Sequence, residues 1–292
     1  MELDRRLAEE LLQERKQLRQ EREFAAADAI RDRLRGGGWE VVDAPEGSRL
    51  EAVEVPPPAR AVTMLTLVHG WPADAGRWLS SVLGHTAEHD FEALIVDNAF
   101  DPEVSVWLAG VIRDRTRMVT VQPPEGWAQA ANRGLEAARG EVVILFDPGV
   151  ELTGDVAGPL LAALSDPGVA LAGAFGVRAV GRIGHFHSHE GPEVDALEGY
   201  VFAFRRQQAL EAGGFDRKFR FYRLADFELS YRLRDRLGGR ALVVPDLPLI
   251  KHEHRLWEAS GEQERERLSR RNYYRLLELW GKRQDMFRDW KD

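Results

Sequence analysis

Val142-Val143-Ile144-Leu145-Phe146-Asp147-Pro148-Gly149-Val150-Glu151 is an unbroken apolar run stopped by an acid and a turn. A strand with no polar alternate fits burial on both faces, as in the parallel sheets of α/β proteins. Outward from it the same texture recurs. Val62–Val68, Phe91–Val96, Arg117–Val121, Val169–Ala174, Tyr200–Phe204 and Ala241–Val244 predict further strands. Helical patterns fill most of the gaps, among them Gly126–Arg139, Val156–Leu164 and Asp226–Leu237. This alternation predicts an α/β fold with a mainly parallel sheet, covered by helices on both faces. Ligands of such sheets bind beyond the carboxyl ends of the strands, so the residues just after each strand carry the functional reading.

Acids and histidines gather at those ends. Asp97-Asn98 follows the second strand, and Asp147 and Glu151 follow the fourth. Asp226 and Glu228 open a helix, and His252-Glu253-His254 follows the last strand. Carboxylates and imidazoles at one sheet edge suit a divalent cation and a polar substrate. A single Asp after a strand is as often a turn or helix cap, so the weight lies in the combination. His185, His187 and His189 alternate and would share one face of an extended segment; a polar loop over the cleft is the preferred reading over a metal site. His69, His85 and His89 read as surface or helix residues. Arg205, Arg206 and Arg232 read as solvated or ion-paired. Trp71, Trp78 and Trp107 read as core.

The order of these pieces resembles the inverting family 2 glycosyltransferases over almost 200 residues. Residues 62–98 are similar to that family's opening strand–helix–strand, ending in Val96-Asp97-Asn98. Glu125-Gly126-Trp127-Ala128-Gln129-Ala130-Ala131-Asn132-Arg133-Gly134 resembles its “NxGfaaArNrG” segment. Glu198 to Arg206 is similar to “GaflafRR”, with Gly213-Gly214-Phe215-Asp216 as the loop that follows. Asp226-Phe227-Glu228-Leu229-Ser230-Tyr231-Arg232-Leu233-Arg234 resembles “EDvDLslRlr”, and Val244-Pro245-Asp246 through His252 resembles “vPdavvyH”.

The resemblance implies a GT-A fold: a Rossmann-like mixed sheet flanked by helices. It implies a nucleotide held by Asp97, Asn98, Gly126 and Asp147, with Trp127 close to that cleft. Asp226 would be the general base for a single inverting displacement. A magnesium or manganese ion would sit at Asp147, with His252 and Glu151 as further candidate ligands, neutralising charge on the leaving diphosphate. The chain departs from the pattern at three places. Gly149 replaces the last acid of the DxD motif, Val68-His69-Gly70 ends the first strand, and Ala225 stands where an acid is common.

The ends of the chain read differently. Residues 1–55 combine Leu-spaced helical patterns with a hairpin around Pro45-Glu46-Gly47, the helices being stopped by Gly36-Gly37-Gly38. Residues 56–60, led by Pro56-Pro57-Pro58, form a stiff linker before a transferase domain at 61–255. A helical extension at 256–292 begins with a capping-box pattern at Ser260. Residues 8–52 resemble the C-terminal tail of cysteinyl-tRNA synthetases, without any of their catalytic machinery. For this appendage an interaction or dimerisation role is preferred over RNA binding.

The chain has 292 residues, 44% hydrophobic and 30% charged, with a net charge of −8 and no cysteine. That excludes disulfides, thiolate zinc sites and cysteine nucleophiles, and argues against a nonspecific grip on nucleic acid. The charged N-terminus and the lack of any apolar run near ~18 residues predict a cytoplasmic protein without a membrane span; attachment at the inner face of a membrane is left open. The expected partners are a nucleoside-diphosphate sugar donor and a glycan or lipid-linked acceptor, with a homo-oligomer left open. Other classes weighed are a non-catalytic nucleotide- or glycan-binding protein on the same fold and an RNA-associated adaptor.

Overall fold

The computed structural model describes residues 5–21, 23–24, 26–27, 30–31, 34, 39–44, 47–52, 60–99 and 101–286. The chain divides into two compact units, residues 1–58 and 59–292. In the first, α1 (Arg5–Gln20) accompanies an antiparallel hairpin of β1 (Trp39–Ala44) and β2 (Gly47–Ala52). Leu11 and Leu12 of α1 meet Ile30, Leu34 and Val41 in a small core of the unit's own. The glycine run 36–38, the turn residues Pro45-Glu46 and the proline linker 56–58 lie outside the described residues.

In the second unit the apolar runs become strands: β3 (Arg60–Val68), β4 (Phe91–Asp97), β5 (Thr116–Thr120) and β6 (Gly140–Phe146). Then come β7 (Val150–Leu152), β8 (Val169–Gly173), β9 (Gly176–Ala179), β10 (Phe186–His189), β11 (Glu193–Val194) and β12 (Ala196–Leu197). Last are β13 (Val201–Arg205), β14 (Arg240–Val243) and β15 (Leu249–Lys251). Among the described residues the main sheet has the order β11-β14-β8-β13-β6-β3-β4-β5.

Only the β6-β3-β4-β5 half is wholly parallel. β13 runs antiparallel between β6 and β8, and β11 runs antiparallel beside β14, so the sheet is mixed rather than mainly parallel. No helix intervenes between β8 and β13, so no crossover turns the chain back to run parallel.

Alternation splits the strand residues between two layers. Val62, Met64, Ile144 and Phe146 face α2 (Pro72–His85), α3 (Pro102–Val111) and α5 (Ala157–Leu164). Leu65, Leu67, Val143 and Leu145 face α4 (Trp127–Ala137), α6 (Arg206–Glu211) and α7 (Ala225–Leu237). After the short α8 (Arg255–Ala259), α9 (Glu262–Trp280) adds Leu276 and Trp280 to this second core. No described helix is long and apolar enough to cross a membrane.

Some local expectations change. Gly261, not Ser260, caps α9, because the Ser260 hydroxyl donates to the Leu256 carbonyl one turn back in α8. Trp78 is fully buried as expected, but Trp71 and Trp107 are each 37% exposed. Arg205 donates to the carbonyls of Leu164, Asp166 and Val169, and Arg206 to those of Leu135 and Glu136. These two arginines therefore close helix and strand ends instead of facing solvent. Arg232 pairs with Glu228 at 2.6 Å, as an ion-pair partner should.

One buried pair fixes α7, the helix that carries Asp226. Arg234 reaches Asp195 at 3.3 Å and also donates to its carbonyl at 2.7 Å, while Asp195 accepts from Ala179 N. Removing one partner strands a buried charge. Arg234→Ala is expected to lower unfolding stability by about 3–5 kcal/mol in a urea titration; a change below about 1 kcal/mol would show that the pair does not anchor the helix.

Candidate active site

Parallel register brings the strand exits to one edge. Val68 lies opposite Asp97 across β3 and β4, and Thr66 lies opposite Phe146 across β3 and β6. His69, Asp97 and Asp147 therefore leave the sheet together. Asp97 is fully buried; its Oδ1 accepts from Ala99 N at 3.2 Å, while its Oδ2 has no partner among the described residues. A buried carboxylate oxygen without a donor is costly, and an N–H or O–H from a ligand would satisfy it.

Asn98 is committed to the neighbouring loop. Its amide donates to Glu125 O at 2.9 Å and accepts from Glu125 N at 2.8 Å. That tie holds Gly126 at the N-terminus of α4, where an added Cβ would stand 3.0 Å from Arg220 Cγ. The first helical N–H groups do not face outward for a phosphate: Trp127 N and Ala128 N donate to the carbonyls of Arg220 and Phe219.

Around Asp147 the side chains are closely interlocked. Its Oδ1 accepts from Gly149 N at 2.8 Å, and its Oδ2 lies 2.9 Å from His254 Nε2. The His254 ring stacks on Tyr222 at 4.0 Å. His69 joins the group. Burial pushes its pKa down to about 4, opposed by the charge of Asp147 and helped by His254, so it is neutral at pH 7. These residues line an apolar slot of about 40 Å³ with Trp71, Trp127 and Gly199. Arg255 closes its rim, with Nε 2.9 Å from Asp74 Oδ2 of α2.

A second chamber of about 270 Å³ continues from this slot, sharing Trp127, Gly199, Tyr222 and His254 with it. Asp226 lies here in the first turn of α7. Its Oδ2 accepts from Gly199 N at 2.7 Å and its Oδ1 from Phe227 N at 2.9 Å. Gly199 is required for the approach, since a Cβ there would come within 2.9 Å of Asp226 Cβ. Burial pushes the Asp226 pKa up to about 7, against the two backbone donors and with a further push from Glu198. Leu224, the cap of α7, and Trp71, the cap of α2, both hold φ above 50°, at 64° and 53°. Strained non-glycine backbone of this kind clusters at functional sites. An open groove of about 870 Å³ runs on from the chamber past Glu198, Arg223 and Trp257.

Of the expected site residues, Asp147 lines the slot and Asp226 the chamber that continues from it, whereas Asp97 and Asn98 are fully buried at the same sheet edge. Glu151 pairs with His252 at 2.8 Å, and Asp147 pairs with His254. Among the described residues no three of His, Asp and Glu form a metal-holding group. Gly149 is also sterically committed: an added Cβ would lie 2.9 Å from both Asp147 Oδ1 and Glu253 O. The donor set present does not fit a divalent cation. His185 and His189 have separate partners, Arg182 and Gly191 N.

Tyr222 and Lys251 carry no signal in the sequence, His254 stands out only within the His252-Glu253-His254 run, and His69 lines the slot instead of lying on the open surface. The signal for His254 was the His-x-His repeat after the last strand. Both histidines share strand parity, so only the point where β15 ends, at Lys251, separates them.

A family model described as “Glycosyl transferase family 2” matches residues 72–230, just over half of the 292-residue chain. The match begins beyond the N-terminal unit. No curated protein matches. Among solved structures, the crystal structure of GalNAc-T7 with UDP, GalNAc and Mn2+ is similar at a TM-score of 0.62 and 19% identity, covering 81% of this chain and 50% of that one. The mannosyltransferase PcManGT from Pyrobaculum calidifontis, in complex with GDP-Man and Mn2+, is similar at 0.52 and 17%, covering 75% and 70%. At such identities the likeness is one of fold. The chain spans half the length of the first of these relatives.

The raised pKa of Asp226 has a consequence for stability. The folded chain holds this proton more tightly than the unfolded chain, whose value lies near 3.8, so stability falls as pH rises toward about 7. In thermal melts the Tm of Asp226→Asn, relative to the parent chain, is expected to rise between pH 5 and pH 8. A difference independent of pH would contradict the raised value.

Proposed function

The chain belongs to glycosyl transferase family 2, and from that premise we propose that it moves a sugar from a nucleoside-diphosphate sugar to a hydroxyl acceptor with inversion. The observation that carries this reading is Asp226, a carboxylate with a pKa of about 7 in the chamber that continues from Asp147. A base is most effective when its pKa lies near the working pH. Asp226 takes the proton of the acceptor hydroxyl as its oxygen attacks the anomeric carbon. The bond from that carbon to the diphosphate breaks, and its electron pair leaves with the diphosphate.

On the donor side, the Oδ2 of Asp97, without a partner among the described residues, accepts from the base or ribose of the nucleotide, and Asn98 fixes the Glu125–Gly126 loop beside it. Asp147 faces the diphosphate end. The acceptor, a glycan or a lipid-linked sugar, enters along the open groove past Trp257. Both similar solved structures contain Mn2+, which supports a divalent cation at Asp147; the ligand geometry of this chain does not. For the N-terminal unit, residues 1–58, 14 Asp and Glu against 10 Lys and Arg leave a net charge of −4, which supports an interaction or dimerisation role over RNA binding.

A second reading, a nucleotide- or glycan-binding protein without turnover, has one observation in its favour. Both oxygens of Asp147 are engaged within the chain, by Gly149 N and His254 Nε2, so the carboxylate that would hold a cation on the leaving diphosphate is already satisfied. Turnover separates the readings. With a nucleotide sugar consumed by the parent chain, kcat/KM is expected to rise with pH through about 7. Asp226→Asn is expected to lose about 10²–10⁴-fold in kcat while nucleoside-diphosphate affinity stays within about two-fold. Undiminished turnover would remove Asp226 from the base role. Asp97→Asn is expected to weaken nucleoside-diphosphate binding about ten-fold or more in calorimetry, and unchanged affinity would place the nucleotide elsewhere.

A further inference from the structure

Charge accumulates on the diphosphate as a sugar–phosphate bond breaks, and something positive must stand where it develops. At Asp147 the usual solution is obstructed on several sides. Both carboxylate oxygens are engaged, Oδ1 by Gly149 N and Oδ2 by His254 Nε2. The His254 ring thus stands against the oxygen a cation would need. Gly149 cannot be given a carboxylate without moving backbone, since its Cβ would meet the carbonyl oxygen of Glu253 at 2.9 Å. His252 is turned to Glu151.

The cleft nevertheless holds positive charge of its own. Lys251 and Arg223 both line the chamber that contains Asp226 and His254. Many arginines of this protein are paired with acids, among them Arg77, Arg117, Arg232 and Arg275. These two cations are held differently. Lys251 Nζ lies 4.1 Å from the centre of the Tyr200 ring, and the Arg223 guanidinium lies 4.8 Å from that of Trp257. An aromatic face orients a cation without neutralising it, so its N–H groups keep their capacity for an anion.

Their placement suits the leaving group. Lys251 ends β15, whose register sets it opposite Val150, shortly after Asp147. Arg223 precedes α7 and lines the same chamber as Tyr222, Asp226 and Lys251. A sugar whose anomeric carbon faces Asp226 would carry its diphosphate toward this pair.

Resting on the donor-binding reading above, we propose that Lys251 and Arg223 take the place of the divalent cation, so that this chain binds nucleoside diphosphates and releases them from sugar without metal. The two side chains bear the charge of the departing diphosphate, and the His254–Asp147 pair occupies the position from which an ion would have acted.

The test is calorimetry on the full chain with UDP, GDP and ADP, each in EDTA and in Mn2+, with uridine, guanosine and adenosine as controls. At least one diphosphate is expected to bind with an affinity that differs less than about three-fold between EDTA and Mn2+. Lys251→Gln and Arg223→Gln are each expected to weaken that diphosphate about ten-fold while leaving the matching nucleoside within about two-fold. Gly149→Asp, if it folds, is expected to gain no response to Mn2+. Binding that requires Mn2+, or diphosphate affinity untouched by both glutamine variants, would overturn the proposal and leave the donor reading standing. Absence of diphosphate binding in both EDTA and Mn2+ would overturn the donor reading, and this proposal with it.

Discussion

The carboxylate of Asp226 is held by two backbone N–H groups, that of Gly199 before β13 and that of Phe227 in its own helix. This junction joins α7 to the middle of the sheet at the point where the cleft changes from slot to chamber. Much of the site follows from it. Gly199 must lack a side chain for the approach, Leu224 must adopt a left-handed backbone to start the helix there, and the Arg234–Asp195 pair holds the helix from its far side. Burial pushes the pKa of this carboxyl up and the two N–H donors pull against it, leaving it at about 7.

The rest of the cleft shows the same logic at lower cost. Asp97 keeps one oxygen without a partner among the described residues, while Asn98 is tied to Glu125. Adjacent residues at one strand end thus differ, one held by its own loop at Ala99 N and one fixing the loop at Glu125. At Asp147 the carboxylate is satisfied internally by Gly149 N and His254. Neighbouring groups close around Gly149, where an added Cβ would lie 2.9 Å from both Asp147 Oδ1 and Glu253 O. The cations of the chamber, resting on aromatic rings, remain available to an anion.

The long apolar runs made the central strands legible. β4 and β6 are buried at nearly every position, and no other arrangement would hide so many consecutive Val, Ile, Leu and Phe residues. The short strands β7, β9, β10, β11, β12 and β15 were not legible, because they have 2–4 residues each and owe their existence to distant partners. The antiparallel course of β13 was hidden for the same reason: direction is a property of the connection, not of Val201–Arg205. In the site, acids after apolar runs stood out, whereas His69 and Tyr222 become site residues only through burial and stacking. His252 and His254 could not be ranked without knowing where β15 stops.

The most direct measurement is a crystal structure of the full chain with a bound nucleotide sugar, grown in Mn2+ and recorded at the manganese absorption edge. The nucleoside is expected at Asp97, the diphosphate beside Lys251 and Arg223, the anomeric carbon facing the Asp226 carboxylate, and no anomalous peak at Asp147. A nucleotide bound away from Asp97, or a manganese peak joining Asp147 to the diphosphate, would contradict this arrangement.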